Sequence, residues 1–147
     1  GYDNIKAKEY AESWGIFMQL VNILRDVKED AERNRIYLPL EDLARYGITE
    51  EDILNNDEIN NHPGWKPFVE NYIRRANEYR DKAFKLLPLL DKSSRYSPAA
   101  MAAFYSSILK KIKKNNGDVF SKRIQLSKTE KILLAGYVYI RYRFLAV

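Results

Sequence analysis

Between Ile5 and Glu32 the chain has no proline and one glycine, Gly15, while Trp14, Phe17, Met18, Val21, Leu24 and Val27 recur at helical spacing. At 1.5 Å of rise per residue such a helix runs about 40 Å, the thickness of a small domain, so the rest of the chain must pack around it. Asn34 to Pro39 reads as extended and ends it. Two short helices follow, Leu40 to Tyr46 closed by Gly47, then Glu50 to Asn55 opened by Thr49 with Asp52 in a near capping-box arrangement. Asn55 to Gly64 is polar turn material. A second long helix is predicted from Trp65 to Leu90, with Phe68, Tyr72, Ala76, Tyr79, Ala83, Leu86 and Leu87 on its inner stripe and Pro88 closing or kinking it. Ser97 and Pro98 form an N-cap and N1 pair for a helix reaching about Asn115 and stopped by Gly117. The capping box Ser127 to Glu130 opens a last helix that runs to the C-terminus. No segment alternates like a strand and no repeat is visible, so the predicted class is all-α, a helical bundle whose sites face inward.

At 147 residues one domain is expected, and 46% apolar with 31% charged residues excludes disorder as the main state. Zero cysteines exclude a disulfide framework, a thiolate metal site and a cysteine nucleophile, and the lone His62 cannot build a polyhistidine zinc site. Any metal must be held by oxygen. The formal charge of +5 is uneven: residues 1–109 carry 15 Lys+Arg against 18 Asp+Glu, residues 110–147 carry 10 against 2. A basic end of this kind fits nucleic acid, an anionic membrane surface or a phosphorylated substrate. The start of the chain, with Asp3, Lys6, Lys8 and Glu9, has no secretory apolar region, so a cytoplasmic setting is expected. The apolar stretch Ile132 to Val147 is interrupted by Arg141 and Arg143 and falls short of the roughly 20 residues that span a bilayer.

The first helix carries the chemistry. Asn22, Asp26 and Asp30 are four apart, so each turns only about 40° from the last and the three line one side over roughly 12 Å. Mg²⁺ takes oxygen donors, commonly one or two carboxylates with waters and substrate phosphate oxygens, and a row of this kind suits it better than a closed cage would. The same row also reads as an ordinary solvated helix face, like-charged at i,i+4. Two features favour the ligand reading: the opposite face is apolar, and Arg25, Arg33 and Arg35 crowd the same end with forks suited to phosphate or carboxylate.

The run Leu20-Val-Asn22-Ile-Leu-Arg25-Asp26-Val-Lys-Glu-Asp30-Ala-Glu-Arg33-Asn-Arg35-Ile-Tyr37-Leu-Pro39 resembles the second aspartate-rich motif of the squalene and phytoene synthases together with the Arg-Ile-Tyr-Leu-Pro segment that follows it. Leu43-Ala-Arg45-Tyr-Gly47-Ile, Tyr105 to Leu109 and Val119-Phe-Ser-Lys-Arg123-Ile are also similar, so the resemblance covers essentially the whole chain. It implies an all-α isoprenoid synthase fold joining two prenyl diphosphates, farnesyl or geranylgeranyl, head to head through a cyclopropyl diphosphate to squalene, dehydrosqualene or phytoene. By the same carry-over Asp26 and Asp30 are catalytic Mg²⁺ ligands, and Gln19 and Asn22 lie beside the metal and diphosphate. Arg35, Tyr37, Tyr105 and Arg123 are candidate diphosphate contacts, with Tyr105 placed among the catalytic residues. NADPH enters only where squalene is the product, and no Gly-rich dinucleotide fingerprint occurs. The family's first aspartate-rich motif has no counterpart before Gly1, and no other Asp-x-x-x-Asp pair can stand in for it. The expectation is therefore a C-terminal half, partnered by an N-terminal half in the same or a second chain and inactive alone.

The remaining features have plainer explanations beside these. Tyr105 also reads as a core tyrosine, Arg123 and Tyr37 as solvated side chains, and His62 as a turn residue. Lys110, Lys111, Lys113 and Lys114 sit where the helix dipole favours cations, and without interleaved stacking aromatics nucleic-acid binding is the weaker rival reading of them. Tyr137, Tyr139 and Tyr142 with Arg141 and Arg143 have the mix of a membrane-interface helix, and equally of a bundle helix packed on a partner. Peripheral membrane contact is thus one reading of the tail. A non-catalytic helical scaffold of the same fold is the alternative to the enzyme.

Overall fold

The computed structural model describes residues 5–55 and 58–144, and no strand occurs among them. Its helices are α1 (Ile5–Arg25), α2 (Val27–Ala31), α3 (Leu40–Ala44), α4 (Glu50–Asn55), α5 (Trp65–Ala83), α6 (Tyr96–Lys114) and α7 (Lys128–Phe144). The apolar stripes decide how they pack: α1 lies along α5 and also meets α6, and α7 lies along α6. Phe17, Val21 and Leu24 of α1, Trp65, Phe68 and Val69 of α5, and Ile112 of α6 are almost wholly removed from water and form the centre of the core. Among the described residues no helix is long and apolar enough to cross a membrane.

The single helix expected from Ile5 to Glu32 is bent. Asp26 leaves helical geometry at φ −100° and ψ 10°, and α2 resumes beyond it. The turn is held on both sides, because the Asp26 N–H donates to the Asn22 carbonyl at 2.9 Å and the Asp26 carbonyl accepts from the Asp30 N–H at 2.9 Å. No proline or glycine lies at the bend, which is why hydrophobic spacing alone could not reveal it. Asn34, at φ 56°, ends α2 in the left-handed region, with the Arg35 N–H donating to the Asp30 carbonyl at 2.9 Å.

The other boundaries follow local chemistry. Thr49 and Asp52 satisfy each other's backbone N–H groups at the start of α4, at 3.1 and 2.8 Å, and Ser127 and Glu130 do the same for α7, at 3.2 and 2.7 Å. α3 stops at Ala44, two residues short of the expected Tyr46, and Gly47, at φ 70°, takes the left-handed position in the turn that follows. The second long helix is shorter than its pattern: α5 stops at Ala83 and 84–89 continue as a tighter 3₁₀ segment containing Pro88, which has no N–H to extend the α ladder. α6 begins at Tyr96, ahead of the expected Ser97 cap, with Pro98 in its first turn, where a missing N–H is harmless. The C-terminal end of α6 is set by Asn116 (φ 55°) and Gly117 (φ 81°) together, the Gly117 N–H donating to the Ile112 carbonyl at 2.9 Å. Residues 145–147, into which the last helix was expected to run, lie outside the described part.

Candidate functional site

The bend at Asp26 opens a cleft of about 230 Å³ lined by Gln19, Asn22, Ile23, Asp26, Glu29, Asp30, Arg33, Tyr37 and Arg123. Three stretches contribute: α1 and α2 supply the acidic ladder, the extended segment after α2 supplies Tyr37, and the connection between α6 and α7 supplies Arg123. Helical spacing puts Gln19, Asn22, Asp26 and Asp30 on this wall, and Glu29, three residues after Asp26, shares it. Tyr37 is 53% exposed, so its ring leans over the rim rather than into the core.

Asp26 is the electrostatic centre. Arg25 Nε donates to its Oδ1 at 2.8 Å and Arg25 Nη2 to its Oδ2, while Arg123 Nη2 donates to Oδ1 at 3.1 Å. Burial pushes this carboxyl up, and the hydrogen bonds and charges of Arg25 and Arg123 outweigh it, holding Asp26 below the usual carboxylate range. Its hydrogen bond to Asp26 raises the Arg25 guanidinium correspondingly. Arg123 Nε also lies 3.1 Å from Glu29 Oε1. Among the described residues Asp30 and Arg33 have no ion-pair partner, so the cleft holds one acid and one base that are uncommitted.

The segment carrying Arg123 is fixed from a distance. Asp118 Oδ1 accepts from the backbone N–H of Phe120 at 3.1 Å and of Ser121 at 2.8 Å, and from Asn60 Nδ2 at 2.8 Å. The buried Trp65 indole N–H donates to the Gly117 carbonyl at 3.0 Å. Beyond Arg123, Lys111 Nζ donates to the Gln125 carbonyl at 3.0 Å and to Glu130 Oε2 at 2.8 Å. The basic end of the sequence therefore converges here: a second groove, lined by Lys111, Lys114, Lys122, Lys128 and Lys131, adjoins the cleft through Arg123.

Gln19, Asn22, Asp26, Asp30, Tyr37 and Arg123 line one cleft, with Asp26 and Arg123 meeting across 97 residues. Arg35 and Tyr105 are not in the cleft lining. Arg35 is exposed beyond the α2 terminus, and Tyr105 packs edge-on against Phe17, ring centroids 6.3 Å apart. Arg33, one of the arginines expected at this end, lines the cleft, and so does Glu29, which the sequence reading passed over although its spacing from Asp26 carries the signal.

The cleft's donor atoms fit a divalent cation. Asn22 Oδ1 is buried with no hydrogen-bond donor, a carbonyl oxygen without a partner beside two carboxylates. An all-oxygen donor set suits a hard cation such as Mg²⁺. Among the described residues no three Asp, Glu, His or Cys side chains form a self-sufficient metal cage. One wall of a site fits these facts.

Residues 1–130 match the family model described as squalene/phytoene synthase. The chain is 42% identical over 127 residues to phytoene synthase 2, chloroplastic, of Zea mays, covering 86% of this chain and 31% of that protein. It is 37% identical over 138 residues to 15-cis-phytoene synthase of Synechocystis sp., covering 94% of this chain and 40% of that protein. A crystal structure of a dehydrosqualene synthase in complex with ligand superposes with a TM-score of 0.76 at 29% identity, over 88% of this chain and 44% of the other. The chain spans about a third to two fifths of the length of these curated relatives.

Proposed function

Because the chain belongs to the squalene/phytoene synthase family, we propose that it contributes one wall of the active site of a prenyltransferase that condenses two prenyl diphosphates head to head. Asn22, Asp26 and Asp30 would hold Mg²⁺ on this wall, and a facing acidic pair comes from a further segment of the fold. The observation that carries the reading is the junction of the ladder with Arg123, a cationic side chain from a distant segment placed on the carboxylates where an anion and a cation are to meet.

Bound Mg²⁺ supplies Lewis-acid stabilisation of the departing diphosphate. The chain's own residues do the rest. Arg33 and Arg123 bring fixed positive charge to the place where negative charge develops, which lowers the barrier to ionisation electrostatically. Gln19 and Tyr37 offer polar tips at the rim of the cleft. At about 230 Å³ the cleft suits a diphosphate headgroup, and the prenyl chain runs over apolar surface completed elsewhere in the fold. There the buried side chains behind α1 exclude water from the carbocations that ionisation creates. The relatives named phytoene synthase favour the carotenoid branch of these products.

In a polypeptide spanning the family's full length, Asp26→Ala or Asp30→Ala is expected to lower Mg²⁺-dependent diphosphate release by about 10²-fold or more, the size of losing one preorganised charge-stabilising contact. Release of pyrophosphate from supplied prenyl diphosphates measures it. Turnover by either variant at the unmutated rate would remove the metal-holding role assigned to these aspartates, whereas no release by the unmutated polypeptide would favour the non-catalytic scaffold instead.

A further inference from the structure

Glu29 has no part in the reading above, yet its placement is specific. Its carboxylate lies 3.1 Å from Arg123 Nε, while Arg123 Nη2 reaches Asp26 Oδ1 at 3.1 Å. Asp26 is shared between two guanidinium groups, since Arg25 grips both of its oxygens. Among the described residues Glu29 has no ion-pair partner other than Arg123.

The two carboxylates therefore respond differently to a cation. A divalent ion on Asp26 adds two positive charges beside Arg123 and competes for the same oxygen, so the Asp26 half of Arg123's grip is the one that yields. The Glu29 half remains. Arg123 is 55% exposed, and an arginine released at such a site would disperse over many rotamers. Held through Nε alone, its two terminal nitrogens are directed away from the tether, the forked arrangement suited to paired oxygens of a phosphate.

We propose that Glu29 is a positioning residue that keeps Arg123 over the cleft when a cation occupies Asp26, so that Arg123 changes partner from carboxylate to the anionic headgroup. The proposal rests on the diphosphate reading of the cleft. Its substance is that Glu29 acts through Arg123 and not on the metal.

The test is a double-mutant cycle in a polypeptide spanning the family's full length, using inorganic pyrophosphate with and without Mg²⁺ as the probe in titration calorimetry. Glu29→Gln preserves shape and removes charge. It is expected to weaken pyrophosphate binding in Mg²⁺ about five- to tenfold, the scale of one charge-assisted contact at a partly solvated site, and to raise KM more than it lowers kcat. In an Arg123→Ala background the same substitution is expected to change nothing further. An equal loss in both backgrounds, an undisturbed Glu29→Gln single variant, or an increased Mg²⁺ requirement in both backgrounds would each overturn the proposal, the last by making Glu29 a metal ligand. Asp26→Ala separates the two levels: unchanged Mg²⁺-dependent pyrophosphate binding there overturns the diphosphate reading, whereas its loss alongside a silent Glu29→Gln overturns the positioning role alone.

Discussion

Helices α5 and α7 are of similar length, 19 and 17 residues, and opposite in their relation to water. α5 buries Trp65, Phe68, Val69, Tyr72, Ile73, Ala76 and Ala83 against α1 and α6. In α7 the one buried side chain among those described is Val138, while Ile132, Leu133, Tyr137 and Ile140 are each more than half exposed. α7 is held instead by its ends and edges: the Ser127–Glu130 box, the Lys111–Glu130 ion pair, and Tyr96, whose ring meets Tyr139 edge-on at 5.7 Å. The lesson is that two helices of one fold are held differently, one by a broad buried face and the other by a narrow apolar seam at Leu134, Val138 and Tyr142 supplemented by contacts at its ends.

Three measurements press on that contrast. Trp65→Ala removes a stacked partner of Phe68 and the donor to Gly117, and is expected to cost about 3–5 kcal/mol in denaturant unfolding. A loss under about 1 kcal/mol would show that α5 is not the more deeply anchored helix.

Acid should act on the other helix first. Contact with Lys111 and Ser127 lowers Glu130 from its ordinary 4.5 to about 2, so its contribution is complete above the ordinary value and fades as pH falls from about 4.5 toward 2. Asp26, also lowered, loses its contribution in the same direction, below the ordinary 3.8. Amide-exchange protection factors across 117–131, referred to the intrinsic rate at each pH, are thus expected to fall on acidification through this window before those in α5 do. Simultaneous loss of protection would break the distinction.

The smallest effect is expected on the exposed face of α7. Ile132→Ser, at a side chain 71% exposed, should change the unfolding free energy of this chain by no more than about 0.5 kcal/mol. A loss of several kcal/mol would mean that this face is packed after all.

Much of this was legible in the residues themselves. Apolar spacing located the core of α1 and α5, and both capping boxes marked helix starts because their signal is local and chemical. The ladder Asn22, Asp26 and Asp30 was readable as one face for the same reason. The bend at Asp26 was not: it lacks a proline or glycine, and the Arg123 ion pairs beside it join residues distant in sequence. Arg123 could be placed by resemblance alone, since the bonds that position it run through Asn60, Trp65 and Asp118. Glu29 escaped notice because a carboxylate between two aspartates looks like one more charge on a wet surface until its arginine is seen.

The anchoring of Gly117 to the Trp65 indole has a mechanical consequence. It roots the strap bearing Arg123 in the deeply buried α5, where Gly117 also abuts Val69, so that a Cβ there would meet its side chain at 3.2 Å. A displacement of α7 would therefore meet, at the strap's near end, an anchor in α5 that does not depend on α7.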